Sequence, residues 1–274
     1  MNSFLFSKTS SNFEGRFADL PGVKLFYIDS GGPGTPIVLL HANTGTVESW
    51  KYQIESFSNA GFRVIAFDRR GWGNSKSNPS TGAQPGSVAE DLDKLVAYLD
   101  LPSFHLLGIA GGGFVALDYA AWRHKNIRCL VIAASNGQFT DPDMLEFYER
   151  IAVPGLTGNS NLRPYLEVGV SYRSENPAGF TEFVQMAHKA RQKDAEAQSM
   201  RTPNTLMKIS SIQSKTLILS GGADLLAPPA LMQFWSKHLK HVEYFNIEDG
   251  GHSLNWERPE QFNFQVIRFL NCFD

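Results

Sequence analysis

Three positions far apart in the chain carry the residue types of acyl-transfer chemistry, with one gap. The run Phe104-His-Leu-Leu-Gly-Ile-Ala-Gly-Gly-Gly-Phe-Val-Ala-Leu117 reads as a buried strand, a glycine-framed turn and the start of a helix. Gly108 and Gly112 stand in the frame positions of a G-x-S-x-G elbow, with Ala110 where the serine would be. Acyl transfer by a hydroxyl needs a histidine to take its proton, a carboxylate to orient that histidine, and N–H groups to hold the tetrahedral oxyanion. Asp224 follows the strand-like Leu217-Ile-Leu-Ser-Gly-Gly-Ala223, and His252 lies in Asp249-Gly-Gly-His-Ser-Leu-Asn-Trp-Glu257, directly after the next strand. Nucleophile position, acid and histidine therefore come in that order, each just past a strand. From Phe104 to Ala134 there is no serine or threonine, so no neighbouring hydroxyl on that strand–turn–helix can stand in.

Each of these residues also has a plainer reading. A glycine cluster after a strand can cradle phosphate, but Gly108, Gly111, Gly112 and Gly113 lie well into the chain and lack the G-x-G-x-x-G order of a dinucleotide turn. His252 alone would pass for a loop histidine; beside Asp224 and the elbow it reads as functional. His41, at the end of a strand, reads as structural. His124, His238 and His241 read as solvated, and the histidines show no metal-ligand spacing. Arg150, Arg163 and Arg173 are by default surface charges, with one of them holding a substrate carboxylate as the sharper alternative.

The elements that must position these residues follow from periodicity. Val23–Ile28 alternates like a half-exposed strand, whereas Pro36–His41 and Phe62–Phe67 are continuous apolar runs, as in strands covered on both faces. A helix is predicted from Ser49 to Ala60, and another carries Val88, Leu92, Leu95, Val96 and Leu99 on one face. After the elbow helix and the strand Arg128–Ala134, the alternation stops. Between about Asn136 and Ser211 there are only helical patches broken by prolines, the clearest carrying Phe180, Phe183, Met186, Ala187 and Ala190. Strand–helix rhythm returns with Lys215–Ser220, Pro229–Leu239, Val242–Ile247 and Pro259–Leu270.

This pattern predicts an α/β fold: a mostly parallel, doubly wound sheet of about eight strands with a helical cap insertion. The core spans 1–135 and 212–274, and the cap 136–211. The cap's Phe139, Phe147, Tyr148, Tyr165, Phe180, Phe183 and Met186 read mostly as its own small core, with a few lining a pocket.

Composition narrows the partners. With 25 basic and 27 acidic residues and a net charge of −2, nothing suggests nucleic acid. No run approaches the roughly 20 apolar residues of a membrane span, and Met1–Lys8 lacks the apolar run of a signal peptide. Cys129 and Cys272 read as reduced thiols of a cytoplasmic protein, with no disulfide or metal site.

Four segments together resemble the α/β-hydrolase superfamily, in its cap-bearing single-domain branch. They are the His41-Ala-Asn-Thr-Gly45 loop, Asp68-Arg-Arg-Gly-Trp-Gly-Asn-Ser75, the glycine elbow, and the Asp224 and Gly250-Gly-His252 pair. The resemblance implies an oxyanion hole built from the N–H groups of Asn43 and Gly111, a structural turn at Asp68–Ser75, a small-molecule ester, lactone or carbon–carbon substrate, and no cofactor. The chain departs from the family in two places: Ala42 stands where the loop usually has glycine, and Ala110 where the elbow has its nucleophile.

Ala110 leaves several readings open. The first is an alanine in place of a serine, giving an inactive chain that still binds. The second is a serine-less enzyme using His252, held by Asp224, as general base on water or an acidic substrate proton. The third is a ligand-binding homologue without catalysis. A lost aspartate nucleophile fits less well: dehalogenases and epoxide hydrolases usually carry tryptophan where Gly111 stands, and epoxide hydrolases proline where Thr44 stands.

Overall fold

Apolar runs without polar alternation become strands sandwiched between helical layers. The computed structural model describes residues 14–155 and 162–273; the 1–8 stretch read above for targeting signals lies outside them. The strands are β1 (Gly15–Leu20), β2 (Val23–Asp29), β3 (Pro36–Leu40), β4 (Arg63–Phe67), the two-residue β5 (Lys76–Ser77), β6 (Phe104–Ile109), β7 (Ile127–Ala133), β8 (Lys215–Gly221) and β9 (Val242–Ile247). They form one sheet in the order β1-β2-β4-β3-β6-β7-β8-β9, with β5 on β2. Pairing is parallel from β4 to β9 and antiparallel around β2. The mostly parallel sheet expected from the sequence is thus present. Periodicity did not pick out β1 or β5, both of which pair at the antiparallel end.

The helices are α1 (Lys51–Asn59), α2 (Val88–Tyr98), α3 (Gly111–Trp122), α4 (Pro142–Ile151), α5 (Arg163–Glu167), α6 (Val170–Glu175), α7 (Pro177–Ala190), α8 (Leu206–Ile209), α9 (Pro229–Ser236), α10 (Leu254–Glu257) and α11 (Pro259–Asn271). Alternate residues of each inner strand feed opposite faces. Val38 and Leu40 of β3 join Leu92 of α2, Leu117 of α3 and Trp235 of α9. Ile37 and Leu39 join Phe57 of α1 and Phe262 of α11 on the other face. That period of two is what a strand buried on both sides requires.

Between β7 and β8 the chain leaves the sheet as α4 to α8. Some of its apolar residues form a small cluster around one aromatic of the core, and others pack on the core itself. Phe183, Met186, Val168 and Tyr172 gather around Trp256 of α10, Phe139 packs on Trp235 with ring centroids 5.5 Å apart, and Tyr165 is half exposed. A segment this short buries too little apolar surface alone, so it borrows the core's aromatics. The loops after β3 and β9 bond to this segment, the Thr44 hydroxyl and the Ser253 N–H both reaching Glu167.

Candidate active site

The turn after β6 holds Ala110 at φ +49° and ψ −114°, a backbone conformation that costs an alanine energy. Neighbouring strands impose it. The Ala110 N–H donates to the Ala133 carbonyl at 2.9 Å, and the Ser135 hydroxyl donates to the Ala110 carbonyl at 2.8 Å. The frame glycines have steric reasons: a Cβ on Gly108 would lie 2.3 Å from the Gly112 oxygen, and one on Gly112 only 2.0 Å from the Leu40 oxygen. Ser135, the first hydroxyl past Ala134, is fully buried and braces the turn. It does not line the cavity.

Asp224 and His252 arrive from the loops after β8 and β9. His252 Nδ1 lies 3.0 and 2.9 Å from the two Asp224 carboxylate oxygens. The carboxylate is held in turn by the Leu226 and Ala227 N–H groups at 2.8 and 2.9 Å. Both side chains are buried. Burial pulls the imidazole's pKa down, but the Asp224 charge and hydrogen bond, with Glu167 adding, outweigh it, so the ring titrates above the ordinary 6.5. With Nδ1 engaged by Asp224, Nε2 is the nitrogen left for chemistry.

The His252 loop is clamped by a carboxylate that sequence reading passed over. Glu257 accepts N–H groups from Gly251 (3.0 Å) and Ser253 (3.1 Å), on either side of His252, and from Gly169 of the inserted segment (2.9 Å). Burial raises its pKa, with the three amides opposing. Glu257 stood in the quoted segment, yet nothing local signals a bond to Gly169.

The loop after β3 lies against the elbow. Its Asn43 carboxamide fills the space where a Gly111 side chain would go, since a Cβ there would sit 2.3 Å from Asn43 Oδ1. Gly111 is the first residue of α3, so its N–H has no acceptor within the helix. The Asp68–Ser75 turn supports this loop from behind. Asp68 accepts the N–H groups of Val47 and Asn74, each at 2.8 Å, and burial pushes its pKa up to about 7. Trp72 Nε1 donates to the Asn43 carbonyl at 2.7 Å. His41 is fully buried and its pKa is lowered well below 6.5 by burial and by Arg69, as a structural, neutral histidine requires.

Ala110, Gly111, Asn43 and His252 line one cavity of about 340 Å³. Phe114, Tyr148, Ile151, Leu225 and Leu226 line it. Arg163 and Glu167 line it too, and here a default reading is corrected. Arg163 is not a plain surface charge: its Nε donates to Glu167 at 2.6 Å within the cavity wall. Glu167 is buried and also accepts the Thr44 hydroxyl at 2.5 Å. Arg173 likewise lies over the Tyr165 and Phe180 rings, whereas Arg150 is exposed beside Glu146. Glu167 belongs to no motif and becomes visible only when the inserted segment folds back on the core.

Among the described residues, no group of three or more histidine, cysteine or acidic side chains converges to hold a metal ion. No described helix is long and apolar enough to cross a membrane. His124, His238 and His241 are exposed.

A family profile described as alpha/beta hydrolase fold matches residues 35–259. The chain is 28% identical over 249 residues to a putative carbamate hydrolase, RutD, of Rhizobium rhizogenes, covering 86% of this chain and 92% of that protein. It is 25% identical over 268 residues to a 2-hydroxy-6-oxononadienedioate/2-hydroxy-6-oxononatrienedioate hydrolase of Burkholderia vietnamiensis, covering 90% and 91%. A thermophilic esterase from Thermogutta terrifontis superposes with a TM-score of 0.79 at 23% identity, over 94% of this chain and 99% of that one. The enol-lactonase of Burkholderia xenovorans gives 0.76 at 20% identity, over 93% and 100%.

Proposed function

The chain belongs to the α/β-hydrolase family, and we propose that its cavity takes a small-molecule carbonyl substrate (an ester, a lactone or a carbon–carbon bond beside a ketone) with Ala110 standing where the attacking serine would be. One observation carries the reading: a buried imidazole held by a carboxylate lines the same cavity as an elbow that keeps its strained backbone though only a methyl sits on it.

With serine at 110, the hydroxyl would give its proton to His252 Nε2 as its oxygen bonds the carbonyl carbon. Asp224 would hold the imidazolium, and the N–H groups of Asn43 and Gly111 the oxyanion. The leaving group would take the proton from His252 as its bond breaks, and water would then repeat the sequence to release the acid. With alanine, the first bond cannot form. Loss of such a nucleophile costs about a million-fold in rate, or about 8 kcal/mol, so this chain binds its substrate without turning it over by that route. Relatives named a putative carbamate hydrolase and a 2-hydroxy-6-oxononadienedioate/2-hydroxy-6-oxononatrienedioate hydrolase support a small-molecule hydrolase. The free cysteines suit a cytoplasmic setting, and the near-neutral charge suits a small molecule over nucleic acid or membrane.

A second reading rests on the His252–Asp224 pair needing no serine to be complete. His252 would take a proton from water, whose oxygen adds to the carbonyl, and return it to the leaving group. Hydrolysis of a short-chain p-nitrophenyl ester separates these readings. A large gain only in Ala110→Ser supports the first. Turnover by the unaltered chain that His252→Ala abolishes supports the second. Binding without turnover in either form marks a non-catalytic homologue.

A further inference from the structure

The turn after β4 sets against the loop after β3 a charge that the chemistry above does not use. Arg69 is 3% exposed, and among the described residues no carboxylate is paired with it. Burial, with the charge of another cation, Arg191, lowers its pKa to about 9, still above neutrality. Its flank rests on the Trp72 ring at 4.4 Å, and its Nε has no partner. A buried, uncompensated guanidinium is costly, so its contacts matter. Nη2 donates to the Ala42 carbonyl at 3.1 Å and to Asn43 Oδ1 at 2.9 Å.

The Ala42 carbonyl receives two further donors. His41 Nε2 accepts the Arg69 backbone N–H at 3.0 Å, so the ring proton sits on Nδ1, which donates to Ala42 O at 2.7 Å. Gly45 N–H adds a third bond at 3.1 Å. That carbonyl belongs to the Ala42–Asn43 peptide, whose other end is the Asn43 N–H. Donors on a peptide oxygen draw electron density from its nitrogen and strengthen its N–H as a donor.

We propose that Arg69, with His41, is a positioning residue that polarises the Ala42–Asn43 peptide and so strengthens the Asn43 N–H toward a developing oxyanion. The catalytic consequence rests on the hydrolase reading above; the polarisation does not.

The test exploits a feature of the sequence: Ala42–Asn43 is its only alanine–asparagine step. Carbonyl-¹³C-alanine with ¹⁵N-asparagine labelling therefore gives one coupled cross-peak. In the unaltered chain the Ala42 carbon should lie downfield of the other non-helical alanines; an ordinary position overturns the proposal with no substitution made. In Arg69→Met, or Arg69→Gln should the first not fold, the Ala42 carbon and the Asn43 proton should both move upfield, and an unmoved peak overturns it. In the Ala110→Ser background, Arg69→Met should lower kcat on the ester about 10-fold with KM within about twofold. An active Ala110→Ser form indifferent to Arg69 refutes the catalytic role. An inert Ala110→Ser form with the expected spectral shifts defeats the hydrolase reading while supporting the polarised peptide.

Discussion

Replacing Glu257 by alanine tests whether one buried carboxylate sets both the His252 loop and the seating of the inserted segment. The side chain is 3% exposed and accepts three backbone N–H groups, from Gly169, Gly251 and Ser253. Truncation leaves all three buried and unpartnered, at about 1–3 kcal/mol each. Against this, the carboxylate's own burial is unfavourable, as its raised pKa indicates, and that cost disappears with it. The net loss expected is about 3 kcal/mol, which in a chain of this size lowers Tm by roughly 6–12 °C. Glu257→Gln keeps one acceptor oxygen but turns an NH₂ toward an N–H, so about 1–2 kcal/mol is expected. Thermal unfolding at neutral pH reads both. A Glu257→Ala chain within about 0.5 kcal/mol of the parent would refute the clamp, as would a glutamine variant less stable than the alanine one.

Other consequences follow from the same geometry. The raised His252 pKa means that the folded chain binds a proton more tightly than the unfolded chain. This stabilisation is complete below pH 6.5 and fades as pH rises through the folded value. The Tm advantage of the parent over His252→Gln should therefore shrink as pH rises above 6.5, and a growing advantage would reverse the sign assigned here. Glu167 raises and Arg163 lowers the His252 titration, so imidazole NMR should show a lower midpoint in Glu167→Gln and a higher one in Arg163→Gln. Shifts of the same sign in both would contradict the wall described. Gly112→Ala drives a Cβ to 2.0 Å from the Leu40 oxygen, where rigid backbone must yield. The loss should exceed about 3 kcal/mol, at or beyond the upper range of overpacking, and a near-native melting curve would contradict the close approach.

How much of this was legible in the residues depends on the range of the interaction. The sheet was readable because β3, β4, β6, β7 and β8 are apolar on both faces, a property written in consecutive residues. The antiparallel end was less so: β1 alternates weakly, and β5 is two residues long. Asp224 and His252 could be nominated as a pair because each follows its strand in a fixed order, and a 2.9 Å hydrogen bond joins them. Glu167, Glu257, Arg69 and Ser135 could not. Glu257 acts through amides up to 88 residues away, Arg69 through the loop after β3, and Ser135 through the carbonyl of the turn after β6. None of these contacts leaves a spacing or a periodicity in the sequence. The inserted segment was legible only in part: helical spacing marks its aromatics, but does not say that Phe180, Phe183 and Met186 cluster on Trp256 while Phe139 packs on Trp235.

The central claim is that residue 110 sits where His252 can activate whatever hydroxyl is put there. A fluorophosphonate reagent that couples only to activated serines, followed by intact-mass and peptide mass spectrometry, measures this without knowledge of the substrate. Ala110→Ser should take up one phosphonyl group, on residue 110, and the same chain carrying His252→Ala should take up none. An Ala110→Ser chain that folds but stays unlabelled, or labels equally without the histidine, would contradict the account.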